Sequence, residues 1–257
     1  MKVIGIDPAP RKNTIIYDGD EARFIKVKPS EMKQAIENFK KNSTKTLLCW
    51  DAPLTAGIED FYTRPIEKKI QYSKNKKPPK GISTMPYATC PHWVITQYCL
   101  DLPKVFEEEC RGGFKLVTNS SFSKNINSVV EVHPALALWC WLDGKYKVDD
   151  WHYKGGVKDE KQKRQANLHR FVENLNTEIN TFDKQFAMSD DLVNEIKNDS
   201  DGDYLDAYIA WLLGKLWTEE VKINGDDAVI LVGDQSAGAI LLPNTEWSRS
   251  LADELEK

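Results

Sequence analysis

Three short apolar runs in this chain each carry an acid close ahead of a proline, and no other feature restricts the fold as much. Lys2–Ile6 (KVIGI) runs into Asp7-Pro8, and Thr46–Trp50 (TLLCW) runs into Asp51-Ala52-Pro53. Val129–Val132 contains Glu131 and closes on His133-Pro134. Runs of four or five aliphatic residues read as buried strands, and proline ends them because it has no amide to add to a ladder. In open α/β sheets, ligands bind beyond the carboxyl ends of the strands. An acid placed there has to be hydrated, hydrogen-bonded or metal-bound, since a lone desolvated carboxylate is costly.

The remaining pattern fills in an α/β order. Asn13–Tyr17 and Ala22–Lys28 are β-rich and flank Asp18-Gly19, a tight-turn signal, so they predict a hairpin. Ser30 stands at an N-cap position, and Met32, Ile36 and Phe39 lay out one helix face before the Thr46–Trp50 strand. A crossover helix at that point implies that the strand after it runs parallel to a neighbour. Further helices are expected over Gly57–Ile70, Ala135–Trp141, Asp159–Leu175 and Ser200–Trp217, with Lys74–Pro86 a surface loop. Ala228–Val232 and Ala239–Leu242 predict a strand pair around a Gly-rich turn. No repeat or clean linker divides the 257 residues. The reading is one α/β domain over 1–257, with a basic loop insertion near 68–100 and a C-terminal β-hairpin near 228–242.

The helix at Ser200–Trp217 adds two acids to those on the strands. Asp203 and Asp206 are spaced i, i+3 and share a face, which continues through the small residues Ala207, Ala210 and Gly214 and permits close backbone approach. If the first and fourth strands are neighbours about 4.8 Å apart, Asp7 and Asp51 reach the same cation. Asp7, Asp51, Asp203 and Asp206 then form a hard-oxygen site for Mg²⁺ or Mn²⁺. Two such ions about 3.5–4 Å apart clamp the attacking and leaving oxygens of a phosphodiester. The competing readings are structural: Asp7 and Asp51 as turn or helix caps, and Asp203 in a capping box under Ser200. Capping explains Asp206 less well, because it lies beyond the first turn.

GIDPAP at 5–10, DAPLT at 51–55, EVHPALAL at 131–138 and DYLDAYIAWLLG at 203–214 resemble a bacterial and archaeal family of uncharacterised proteins predicted to be RNase H-like nucleases. The opening GIDP and the D-x-x-D-A of the last long helix are also similar to the Holliday-junction resolvase branch of that superfamily. The resemblance covers residues 5–214 and implies a mixed five-stranded sheet flanked by helices. It makes Asp7 the first-strand metal ligand, Asp51 the fourth-strand acid, and Asp203 with Asp206 the helix ligands. In the metal site expected here, Asp7, Asp51 and Asp206 are the core ligands, with Asp203 either a ligand or a support for them. Glu131 falls in a family motif as either a site acid or an anchor for the turn before Pro134, and Arg64 matches an arginine that follows the family's D-x-P motif.

The formal charge of −4 excludes tight binding of nucleic acid by bulk charge alone. Charge is unevenly spread, however. Lys68, Lys69, Lys74, Lys76, Lys77 and Lys80 form a basic run with no acid between residues 68 and 100, and Tyr72, Tyr87 and Trp93 interleave there. Lys74, Lys76, Lys77 and Lys80 are candidate contacts to a nucleic-acid backbone, against the alternative of a solvated loop. Five scattered cysteines without a CxxC pair fit neither a disulfide framework nor a zinc site, and a reducing cytoplasm is the default. No apolar run reaches the roughly 18–20 residues of a membrane span. The function expected is a Mg²⁺- or Mn²⁺-dependent nuclease; the alternative is a module on the same fold that binds nucleic acid or protein without cleaving.

Overall fold

The computed structural model describes residues 1–9, 12–41, 44–54, 64–72, 77–79, 113–119, 122–142, 151–154 and 160–256. The expected loop contacts Lys74, Lys76 and Lys80, and Cys90, Cys99 and Cys110, lie outside these residues.

Strands β1 (Lys2–Asp7), β2 (Thr14–Asp18), β3 (Arg23–Val27), β4 (Thr46–Trp50), β5 (Lys115–Leu116) and β6 (Ser128–Glu131) form one mixed sheet in the order β3-β2-β1-β4-β6-β5. The β1–β2–β3 portion is antiparallel, whereas β4, β6 and β5 continue from β1 in parallel. The sheet therefore has six strands rather than five. The extra one, β5, is a two-residue edge strand, too short to leave a periodic signal. Helix α1 (Met32–Lys40) makes the crossover from β3 to β4, and the expected parallel pairing places Ile6 beside Trp50.

Strand periodicity sends alternate residues to opposite faces. Ile4, Ile6, Leu48, Trp50 and Val129 meet Met32 and Ile36 of α1 on one face. Val3, Leu47, Cys49 and Val130 meet the other, thicker layer. That layer holds helices α3 (Pro134–Leu142), α4 (Lys161–Phe182), α5 (Asp190–Asn198) and α6 (Asp203–Thr218). Helix α6 is buried on nearly every side and packs most extensively on β1. Glycine permits that approach: a Cβ on Gly5 would fall on the Ala207 carbonyl oxygen and 2.5 Å from the Trp211 amide nitrogen. Strands β9 (Val229–Asp234) and β10 (Gly238–Pro243) form the C-terminal hairpin, and Leu241 of β10 bridges in parallel to Val132 just beyond β6. The hairpin turn is closed by the Asp234 carboxylate, which accepts from the Ser236 and Ala237 amides at 2.8 Å.

Several boundaries differ from the sequence expectation. Helix α4 runs seven residues past Leu175, carrying Ile179 into the core. Within the described residues, the helix expected over Gly57–Ile70 is α2 (Pro65–Tyr72). Helix α6 begins at Asp203 behind Gly202, whose φ of 76° belongs to the left-handed region. Gly202 holds the N-cap position, and the Asp199 carboxylate, not Ser200, accepts from the first-turn Tyr204 amide at 2.9 Å. Asp203 is thus released from the capping box. Helix α5, the small ribbon of β7 (Lys222–Ile223) and β8 (Asp226–Asp227), and helix α7 (Glu246–Leu255) complete the fold and were not expected from the sequence. No helix among the described residues is long and apolar enough to cross a membrane.

Candidate metal centre

Strand parity decides which acids meet. Asp7 follows Val3 and Gly5 on the face of β1 that receives α6, and Asp51 follows Leu47 and Cys49 on the same face of β4. The Asp51 amide donates to the Ile6 carbonyl at 3.0 Å, which fastens the end of β4 to β1. Asp206 comes from one turn inside α6. Ligand oxygens of Asp7, Asp51 and Asp206 lie within 4.8 Å of one another, and the residues are only 7%, 8% and 3% exposed. They are the one such acidic group among the described residues.

Two cations enter this cluster, and neither was singled out from the sequence. The Lys154 ammonium donates to Asp7 Oδ2 at 3.0 Å, lies 3.2 Å from Asp203 Oδ1, and pairs with Asp206 Oδ2. Lys12, from the turn after β1, pairs with the other oxygen of Asp203. Tyr153 donates its hydroxyl to Asp206 Oδ1 at 2.6 Å. A Tyr-Lys pair ahead of Gly155-Gly156 has no period and no motif spacing, so no sequence signal marks it. The Asp51 carboxylate, by contrast, has no hydrogen bond or ion pair among the described residues.

The electrostatics follow these contacts. Burial pushes Asp7 up to about 7, with Lys154 opposing the rise and Asp206 and Asp203 reinforcing it. Asp51 is raised well above the usual carboxylate range by burial and then by Asp206 and Asp7. Burial also raises Asp206, against the pull of Lys154. Asp203 feels the same burial, but Lys154 and Lys12 outweigh it and hold its carboxyl low. Lys154 is raised well above its usual value because Asp206, Asp7 and Asp203 overcome its desolvation. The cluster is a place of strongly negative potential in which a cation is favoured.

Glu131 takes its hydrogen bonds from other residues. It pairs in register with Trp50, one step out of phase with Val130 and Val132. Its carboxylate accepts from the Leu54 amide at 2.8 Å and from Arg64 Nη1 at 2.7 Å. Arg64 is 1% exposed, and its Nε donates to both oxygens of Glu67 at 2.9 and 3.0 Å. This arginine bridging two glutamates ties the segment after β4 and the start of α2 to β6. Burial raises Glu131, and Arg64 opposes that rise. Arg64 and Glu131, both expected near the site, are bonded to each other; the Glu131 charge still reaches Asp51 and adds to its rise.

Of the basic run, Lys68 and Lys69 stand on the exposed side of α2. Lys77 lies 5.9 Å over the ring of Tyr72, which is 66% exposed. Three carboxylates converging from two strand ends and one helix are the oxygen-donor set that suits Mg²⁺ or Mn²⁺, and the Lys154 ammonium already stands among them as a cation. The residues fit a metal. Comparison with protein-family models, curated proteins and solved structures finds no match to this chain.

Proposed function

We propose that this protein is a metal-dependent nuclease on an RNase H-like fold, hydrolysing phosphodiester bonds at Asp7, Asp51, Asp203 and Asp206. The observation that carries the reading is the buried convergence of Asp7, Asp51 and Asp206 at the carboxyl ends of adjacent parallel strands. The order β3-β2-β1-β4-β6, antiparallel then parallel, is the order such a fold requires and supports the same reading.

Two sets of acids here can face a cation: Asp7, Asp51 and Asp206, whose oxygens converge, and Asp7, Asp203 and Asp206, which face the Lys154 ammonium. Bound Mg²⁺ or Mn²⁺ supplies a nucleophile from coordinated water and neutralises charge on the phosphate. The chain's own part is positional. Asp7, common to both sets, and Asp51, locked by its amide to Ile6, set the oxygens about which a scissile phosphate is oriented. Tyr153 fixes the orientation of the Asp206 carboxylate. Lys77 and the exposed ring of Tyr72 supply charge and a stacking surface for a nucleic-acid strand.

Incubation of the purified protein with end-labelled single- and double-stranded DNA, RNA and hybrids in Mn²⁺ tests the reading. Cleavage that falls at least about 100-fold in Asp7→Asn and Asp51→Asn is expected; cleavage undiminished by either removes the assignment. One observation favours a second reading, a binding module without catalysis: Lys154 already neutralises part of the cluster. Calorimetry with no Mn²⁺ uptake selects that reading.

A further inference from the structure

The geometry points to Lys154 as a resident cation of the site: we infer that its ammonium permanently occupies the Asp203-side position, so that the chain takes one divalent ion, between Asp7, Asp51 and Asp206, and not two. The inference rests on the metal-dependent reading above and specifies its stoichiometry.

Three observations carry it. The first is occupancy. A divalent ion of the Mg²⁺ class sits about 2.0–2.1 Å from each oxygen it binds. On the Asp203 side, the oxygens it would use are Asp7 Oδ2, Asp203 Oδ1 and Asp206 Oδ2, and all three already face Lys154 Nζ, at 3.0 Å, 3.2 Å and closer. The ammonium and an ion cannot both fit there. The Asp51 carboxylate makes no ion pair with Lys154, so the Asp51 side keeps a donor without a partner among the described residues.

The second observation is anchorage. A lysine on a free loop would simply swing away. Here the preceding residues are each fastened to α4 or the site. Trp151 stacks on Phe171 at 5.1 Å, and the His152 carbonyl accepts from Asn167 at 2.9 Å. Tyr153 meets Phe171 edge-on at 5.6 Å and donates to Asp206. Trp151 and Tyr153 are buried. The backbone that delivers Lys154 is therefore held by the core and not by the ammonium itself.

The third is charge. Four carboxylates, the Lys154 and Lys12 ammoniums and one divalent ion sum to zero. A second divalent ion would have to displace the Lys154 ammonium and would carry the site one positive charge past neutrality, among acids nine-tenths buried or more, whereas one ion beside the ammonium leaves it balanced. The lysine thus provides, without exchange, the electrostatic stabilisation that a second ion would give to an anionic phosphate.

Mn²⁺ titration of the full chain at neutral pH, read by calorimetry and by loss of the free-ion paramagnetic signal, tests this without reference to turnover. The expected result is one Mn²⁺ per wild-type chain, one in Lys154→Arg, and two in Lys154→Ala. Should the alanine variant fail to fold, Lys154→Gln, which keeps a hydrogen-bonding head without the charge, carries the same expectation of two. Two ions per wild-type chain would overturn the inference while leaving the metal-dependent reading intact. One ion in a folded, charge-free Lys154 variant would overturn it likewise. No uptake by the wild type overturns both readings together.

Discussion

Replacing Gly5 with alanine is the most direct probe of how the site is held together. The added Cβ would fall on the Ala207 carbonyl oxygen and 2.5 Å from the Trp211 amide nitrogen, both of them backbone atoms of α6. Neither can turn aside as a side chain would. Relieving the Trp211 contact to the 3.4 Å of ordinary contact withdraws the helix by about 0.9 Å, and the nearer Ala207 oxygen asks for more. Asp206 rides on that helix, while Asp7 and Asp51 stay with the sheet. Oxygens on opposite sides of one Mg²⁺ stand only about 4.2 Å apart, twice a bond of about 2.1 Å. The triad, now within 4.8 Å, closes on an ion by a small adjustment. Moved a further ångström apart, it cannot. Mn²⁺ affinity is expected to fall about 10–100-fold, the range found when ligand orientation is disturbed. Overpacking is expected to cost about 1–3 kcal/mol of stability. Gly214→Ala serves as the comparison: its Cβ would meet the side chains of Cys49 and Val3, with Val3 Cγ1 at 2.8 Å, so it should lower the melting temperature with little loss of Mn²⁺ affinity. A Gly5→Ala protein with wild-type melting and wild-type Mn²⁺ affinity would refute the packing of α6 on β1 described above.

Other perturbations separate the site from its scaffold. Asp51→Asn removes a buried carboxylate with no partner among the described residues, and is expected to raise the melting temperature in EDTA while abolishing the gain from Mn²⁺, both read in one scanning-fluorimetry plate. Asp7, raised from 3.8 to about 7, keeps its proton in the folded chain where the unfolded chain has lost it. Its contribution to stability is therefore full below pH 3.8 and is lost as pH rises through about 7, so metal-free melting temperatures should decline across that window. Mn²⁺ affinity should climb over the same window, and a flat calorimetric pH series would contradict this. Arg64→Met strands Glu67 and Glu131 without their shared cation and should cost about 3–5 kcal/mol by urea denaturation.

The strands that carry the acids were legible because an aliphatic run ending in Asp-Pro or Asp-x-Pro leaves few alternatives. Face parity, not weighed in reading the sequence, also separates these acids. Asp7 lies an even number of residues from Val3, and Asp51 from Leu47, whereas Glu131 lies an odd number from Val130, which sends it to the Arg64 cluster. The α6 acids emerged because Ala207, Ala210 and Gly214 extend their face with small residues. Helix α5 was missed because Leu192 and Ile196 are its only fully buried residues, too few to set a period. Helix α7 was missed although Thr245 and Ser248 cap it reciprocally, since a serine stands where a capping box is usually read from Glu or Gln. Lys154 and Tyr153 reach the site through tertiary contacts alone, with Trp151 seated on Phe171. Nothing local to residues 151–154 encodes that.

The acids of the triad stand at positions 7, 51 and 206, so the site is written at both ends of a long stretch of chain. At about 5–20 residues per second, a ribosome needs roughly 10–40 s to pass from the first to the last. Throughout that interval the nascent chain holds β1 and β4 but neither Asp206 nor the helix that presents it. On the proposed nuclease reading, the complete acidic site comes into being only once translation has passed α6, and fragments ending before it lack one of its three acids.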